Sequence, residues 1–213
     1  MKTALIVLLC SITALADSES DKQNDDKENG RKAREEYSRL LYDPHRDPWQ
    51  LPDKVVSALA IGSSEVIADV EIEGDGGYFA RRFARQAKTV YLVDINSKLL
   101  QHALKEKPDN LETIQSTEDD PKIQTRPTDT VFLCNVLNRI PNRPAYYLEL
   151  AKSLKPQGRI VIIDFYKRTP PRGLPDKLKI TDALVIAELK AAGFRLTRSF
   201  DLLPLQFFLI FQR

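Results

Sequence analysis

From Val55 onward, short apolar runs alternate with longer stretches in which apolar residues recur at helical spacing. The runs Val66–Ile72, Val90–Val93, Leu111–Ile114, Thr130–Cys134 and Arg159–Asp164 have the length and β-branched content of buried strands. Between them, Tyr78–Gln86 carries Phe79 and Phe83 with Ala87 next in phase, and Ser97–Lys105 carries Leu99, Leu100, Ala103 and Leu104. Arg143–Leu154 is a third such stretch. Strand, helix, strand repeated along a chain predicts a parallel sheet covered on both faces. After a helix at Thr181–Ala192 come two more runs, Phe194–Phe200 and Gln206–Phe211, separated only by Asp201-Leu202-Leu203-Pro204-Leu205. Five residues are too few for a crossover helix, so these two strands are expected to pair antiparallel. The expectation is an α/β domain with a mostly parallel seven-stranded sheet and a C-terminal antiparallel hairpin.

The chain ahead of this pattern is of two kinds. Lys2 precedes the apolar run Ala4–Leu9, Ala14-Leu15-Ala16 offers small residues at signal-peptidase spacing, and no acid appears before Asp17. Residues 1–16 therefore read as a cleavable export signal, with a buried N-terminal helix as the alternative. Ala4–Ala16 is too short to cross a bilayer. A lipoprotein signal ending at Cys10 fits less well, because Leu9 stands where a small residue is needed. The expected location is exported, periplasmic or secreted, with no stable membrane span. Asp17–Glu36 mixes charges without one large apolar residue, so residues 17–42 read as a charged flexible segment, turning helical near Arg31–Leu41. The domain proper is expected over residues 43–213.

Composition adds two exclusions. Removing the leader takes only Lys2 from a formal net charge of +2, and a chain so close to neutral gives no argument for nucleic acid. Cys10 would leave with the leader, and Cys134 alone cannot close an intramolecular disulfide.

In an open parallel sheet, ligands sit beyond the carboxyl ends of the strands, where strand order reverses. The first predicted strand runs into Glu71-Ile72-Glu73-Gly74-Asp75-Gly76-Gly77-Tyr78-Phe79, a glycine-rich turn opening a helix. Glycines let backbone approach a ligand, and free amides at such a turn hold anionic groups. The second strand ends at Asp94, seventeen residues after Gly77, where a carboxylate can accept hydrogen bonds from both hydroxyls of a ribose. Cys134 and Asn135 end the fourth strand and Asp164 the fifth.

Trp49-Gln50-Leu51-Pro52, the GYF closing the turn, VYLVDI around Asp94, DTVFLCNVLNRIPNR from Asp129, LKPQGRIVIIDF from Leu154, and ELKAAGF followed by LPLQFFLIF stand in this order. Together they resemble bacterial class I S-adenosylmethionine-dependent methyltransferases over about Arg46 to Phe211. The resemblance implies a Rossmann-like methyltransferase fold, S-adenosyl-L-methionine as cofactor, and a small-molecule or protein methyl acceptor. It places Glu71 on the acid of the glycine motif, the backbone of Gly74, Gly76 and Gly77 at the methionine end, and Asp94 on the ribose. Ile95 would pack on the adenine, Glu118 or Asp119 would lie near its amino group, and Asn135 would line the methyl-transfer site. Trp49 and Gln50 would cover the pocket. Structural roles stand beside these: Trp49 as a core plug, Asp119-Asp120-Pro121 as a turn, Asp164 as a loop cap, and Cys134 as a small buried apolar residue.

The chain departs from the family pattern in two places. The family's motif is an acid followed by glycines at two-residue intervals. Counted back from Gly77, Glu73 and Asp75 fall on glycines; counted forward from Asp69, two extra residues precede the GYF. Either way, acids enter a turn meant for a carboxylate. Like charges ~4 Å apart repel by about 4 kcal/mol at an effective dielectric near 20, which uncompensated would weaken binding by about a thousandfold. A side chain swung out to solvent would relieve this, whereas a crevice filled by its own acidic loop would count against donor binding. Asn138-Arg139 stand where similar sequences carry a histidine pair, and neither is a general base near neutral pH. Export also separates the protein from a cofactor made in the cytosol. Three readings follow: a methyltransferase, a non-catalytic methyltransferase-fold protein acting as an exported binding module, and a nicotinamide-dependent oxidoreductase. The terminal hairpin counts against the last.

Overall fold

A computed structural model describes residues 28, 31, 32, 35, 39–41, 43, 45–105, 107–167 and 178–213. The expected export signal at 1–16 and most of the charged segment at 17–42 lie outside the described residues. The chain divides into two units, Met1–Arg39 and Leu40–Arg213. In the first, Glu28, Arg31, Lys32 and Glu35 are helical and exposed, with one-turn ion pairs Lys32–Glu28 at 2.8 Å and Arg31–Glu35. Such pairs contribute only about 0.2–0.5 kcal/mol each.

The second unit holds a seven-stranded sheet. Its strands are β1 (Val66–Val70), β2 (Thr89–Asp94), β3 (Leu111–Gln115), β4 (Thr128–Cys134), β5 (Leu154–Phe165), β6 (Arg195–Phe200) and β7 (Gln206–Gln212). The strand order is β3-β2-β1-β4-β5-β7-β6. β1 to β5 run parallel, and β7 is antiparallel to both of its neighbours. The antiparallel pairing of the last two strands, inferred from a short connection, is therefore present.

The helices are α1 (Asp47–Gln50), α2 (Pro52–Leu59), α3 (Ala80–Phe83), α4 (Ser97–Ala103), α5 (Arg143–Ser153) and α6 (Asp182–Ala191), with a 3-10 turn at Leu137–Arg139. Asn96, Asn142 and Thr181 cap α4, α5 and α6, each accepting a backbone amide. No described helix is long and apolar enough to cross a membrane.

Side chains alternate across the sheet as the pleat requires. Ala68, Val70, Val131, Leu133, Ile160, Ile162, Phe207 and Leu209 face one core layer together with Tyr146, Leu150, Val185 and Leu189 from α5 and α6. Ile67, Phe132, Val161, Ile163, Phe208 and Ile210 face the other, with Val55, Leu59, Phe79, Phe83 and Leu100. Both faces are covered, which explains the unbroken apolar runs at residues 131–133 in β4 and 160–163 in β5; β1 is broken only by the buried Asp69.

The structure corrects the element boundaries at three elements: β1, the helix after it, and β5, which begins at Leu154 rather than Arg159. No helix separates β3 from β4; instead Thr117 donates its amide to the Asp120 carbonyl at 2.9 Å, and Asp120 accepts the Lys122 amide at 2.8 Å, so this connection is a hydrogen-bonded loop. The helix expected over Tyr78–Gln86 contracts to Ala80–Phe83. β1 stops at Val70 rather than Ile72, because from Glu71 the backbone turns to supply amides to buried carboxylates.

Candidate functional site

Strand order reverses between β1 and β4, so the crevice at their carboxyl ends is the expected ligand position. The turn following β1 lies here. Six consecutive amides in it, from Glu73 to Tyr78, donate to carboxylates of the chain itself. Glu71 accepts from Asp75 and Gly76 at 3.1 Å each and from Gly77 at 3.2 Å. Asp94, at the tip of β2, accepts from Glu73 at 3.1 Å, Gly74 at 2.8 Å and Asn96 at 2.7 Å. Asp75 accepts from Tyr78 at 2.8 Å.

The local sequence permits this coil. Gly76 and Gly77 take φ of +72° and +92°, which side chains disfavour. A Cβ at Gly74 would stand 2.4 Å from Glu71 Oε2, so only glycine lets the carboxylate lie against the backbone. Glu73 itself has φ of +48° and its side chain is exposed. The acids expected to crowd the turn thus part company: Glu73 points to water, and Asp75 pairs with Arg46 Nη2 at 2.6 Å.

Burial governs the protonation of this group. It pushes Glu71 well above the usual carboxylate range, with the charges of Asp75 and Asp69 adding to the effect. Three amide donors oppose that rise. Asp94 is raised by burial against the pull of its amides. Asp69, one strand residue back, is raised well above its ordinary value by burial and by Asp75, and its Oδ2 has no hydrogen-bond partner.

The other expected residues fall around the same edge. Ile95 is half-buried against the core beyond Asp94. Glu118 and Asp119 are exposed on the loop after β3, where Asp119 accepts the Thr117 hydroxyl at 2.7 Å. Asn135 follows β4 with φ of +61° and is 3% exposed. Its amide closes a ring with two glutamines. Asn135 Nδ2 donates to Gln50 Oε1 at 3.2 Å, Gln50 Nε2 to Gln206 Oε1 at 2.8 Å, and Gln206 Nε2 to Asn135 Oδ1 at 2.6 Å. Trp49 is 8% exposed, its ring 5.5 Å from that of Phe165, so it is built into the core. Cys134 is half-buried beside the second core layer, and desolvation pushes its thiol well up. Asp164 accepts the Phe165 amide at 2.7 Å and the Leu137 amide at 3.4 Å, capping the 3-10 turn; burial raises it to about 7.

Sequence reasoning missed several participants. Arg139 donates Nη1 to the Ile72 carbonyl at 2.5 Å and to the Glu73 carbonyl, fastening the 3-10 turn to the glycine turn. Arg46 is 2% exposed and lies 3.3 Å over the Tyr78 ring. Gln206 opens β7 and carries one corner of the amide ring. Tyr146 on α5 is 1% exposed with an unpartnered hydroxyl that feels Asp120, Asp94 and Asp119. No spacing rule signals any of these, because each reaches the site through the tertiary fold.

A sheet of this order, with a reversed β7, a glycine turn after β1 and an acid ending β2, has the Rossmann-like methyltransferase fold. Residues 73–162 match the family model described as a methyltransferase domain. A crystal structure of a SAM-dependent methyltransferase from Aquifex aeolicus superposes with a TM-score of 0.72 at 20% identity, covering 80% of this chain and 94% of that one. A putative type 11 methyltransferase from Sulfolobus solfataricus gives 0.60 at 22% identity, covering 81% and 93%. A DhpI-SAM-HEP complex gives 0.63 at 17% identity, covering 88% and 97%. No curated protein matches the chain.

Proposed function

We propose that this chain transfers a methyl group from S-adenosyl-L-methionine to a small-molecule or protein acceptor. The observation that carries the reading is the direct contact between Asp94 and the glycine turn at the switch point of a sheet closed by a reversed β7. The match of residues 73–162 to a methyltransferase-domain model supports it.

The donor set suits the cofactor in kind. Asp94 supplies acceptors for ribose hydroxyls, the backbone of Gly74, Gly76 and Gly77 faces the methionine end, and Glu71 holds that backbone in its coil. Ile95 and the Glu118–Asp119 loop belong to the adenine side, and Asn135 to the acceptor side. When bound, the cofactor supplies an electrophilic sulfonium methyl with a good leaving group. Asp94 must then exchange the Glu73 and Gly74 amides for hydroxyls, so binding includes an opening of the turn. Arg139 is committed to carbonyls, and Asn138 has no basic group. Positioning alone must therefore serve an acceptor that is already nucleophilic. The leader read at residues 1–16 makes export part of this proposal; mass spectrometry of the mature protein is expected to find Asp17 at its N-terminus.

A second reading, a non-catalytic binding module, rests on one observation: the six amides of the turn are already satisfied from within. Isothermal titration with S-adenosylhomocysteine separates the two. Methyl transfer requires binding far tighter than millimolar and its loss in Asp94→Ala. Millimolar binding indifferent to that substitution selects the module.

A further inference from the structure

Arg46 is a buried cation for which the proposed reaction has so far supplied no task. Nη1 donates to the Leu41 carbonyl, and Nη2 donates to Asp75 Oδ2 at 2.6 Å. Nε is buried without a partner. Through Asp75 the guanidinium is tied to the glycine turn that follows β1, on the side of the sheet where strand order reverses. The other described arginines bonded to this turn are committed: Arg139 to the carbonyls of Ile72 and Glu73, Arg81 to those of Gly76 and Gly77, and Arg82 to Asp47 and the Tyr78 carbonyl.

The pairing with Asp75 is incomplete for a geometric reason. A guanidinium offers Nε and one Nη as a parallel fork that a carboxylate takes with both oxygens. Asp75 cannot do this, because its Oδ1 is held by the Tyr78 amide at 2.8 Å. One prong is filled and one is left empty, in a side chain 2% exposed. Asp75 is the looser partner at 17% exposed, and both residues border a cleft of about 310 Å³ into which its side chain can turn.

We propose that Arg46 receives the α-carboxylate of the donor's amino-acid tail, and that Asp75 holds that place in the ligand-free chain. This rests on the methyl-transfer reading and adds to it a binding residue and an internal competitor. A desolvated guanidinium needs an anion at all times. A tethered carboxylate that yields to a free one keeps the charge paired in both states, and the free one fills both prongs. The arrangement also answers the repulsion expected of an acid in this turn: Arg46 neutralises Asp75 before the ligand arrives and the ligand afterwards.

The test is titration of the full chain with two nucleosides, S-adenosylhomocysteine and 5′-methylthioadenosine, which lacks the amino-acid tail. Asp75→Asn is expected to tighten S-adenosylhomocysteine by about tenfold and to leave methylthioadenosine unchanged. Arg46→Lys, which keeps the charge but not the fork, is expected to erase most of the preference for the tailed ligand. If both nucleosides bind the unsubstituted chain and Asp75→Asn leaves their ratio unchanged, Arg46 is not the carboxylate receptor, while the methyl-transfer reading stands. Equal weakening of both ligands by Arg46→Lys marks a purely structural arginine and overturns the proposal too. Failure of both nucleosides to bind either the unsubstituted chain or Asp75→Asn removes the methyl-transfer reading and this inference with it.

Discussion

Glu71 and Gly74 show how one side chain decides the shape of a turn. The carboxylate collects three amides only because residue 74 has no Cβ in its way. Gly74→Ala should therefore destabilise the protein by about 1–3 kcal/mol, the cost of forcing an atom into a filled space, read from the midpoint of a urea melt. Asp164 makes a prediction about pH. Its native value of about 7 exceeds its ordinary 3.8, so between those values the unfolded chain releases a proton that the native state keeps. Stability is lost as pH rises through that window, and the loss is complete above about 7. Asp164→Asn removes the penalty while keeping an acceptor for the Leu137 amide. Its melting temperature should exceed that of the unsubstituted chain at about pH 8 and match it near pH 4. A difference independent of pH would disprove the assignment.

Whole elements are joined at this edge by polar side chains rather than by apolar packing. The ring of Gln50, Asn135 and Gln206 ties α1, the end of β4 and the start of β7, each amide giving one hydrogen bond and taking one. Gln206→Leu takes the donor from Asn135 Oδ1 and the acceptor from Gln50 Nε2, and should cost about 1–3 kcal/mol. Because the three amides polarise one another, Gln50→Ala and Gln206→Ala should couple by at least about 0.5 kcal/mol in a double-mutant cycle. Strict additivity would show that the ring is incidental. Arg139 performs the same office between the 3-10 turn and the glycine turn. Arg139→Ala should speed amide hydrogen exchange at residues 73–78 while the strand amides keep their protection.

For the molecule, β7 is the member on which the sheet's far side depends. It lies between β5 and β6, and Phe207 to Phe211 feed both core layers. A chain ending at Leu205 loses the partner of both neighbouring strands, and circular dichroism of it should show no cooperative unfolding. The buried acids act together at this scale. Asp69, Glu71, Asp94 and Asp164 are all held above their ordinary values, each chiefly by burial. All four therefore penalise the native state as pH rises, and the stability of the unit should be greater on the mildly acidic side than at alkaline pH.

The sheet was legible because its signal is local. Central strands buried on both faces carry apolar runs, and a five-residue link between two strands leaves room only for an antiparallel pairing; β4, β5 and the hairpin follow from those two facts. Between β3 and β4 no helical spacing was present, and Thr117, Asp120 and Lys122 satisfy one another in a loop. At the site, the sequence located Glu71, Gly74, Gly76, Gly77 and Asp94 by motif and spacing, and it showed that acids had entered the turn. It could not tell that Glu73 would face water, that Asp75 would find Arg46, or that Asn135 would close a ring with Gln50 and Gln206. Those partners lie 29, 85 and 71 residues apart in the chain. Apolar periodicity is set by neighbours along the chain, so the order of residues alone determines it. The partner of a buried charge or amide is whichever polar group the folded backbone brings within about 3 Å, and only the tertiary structure decides that.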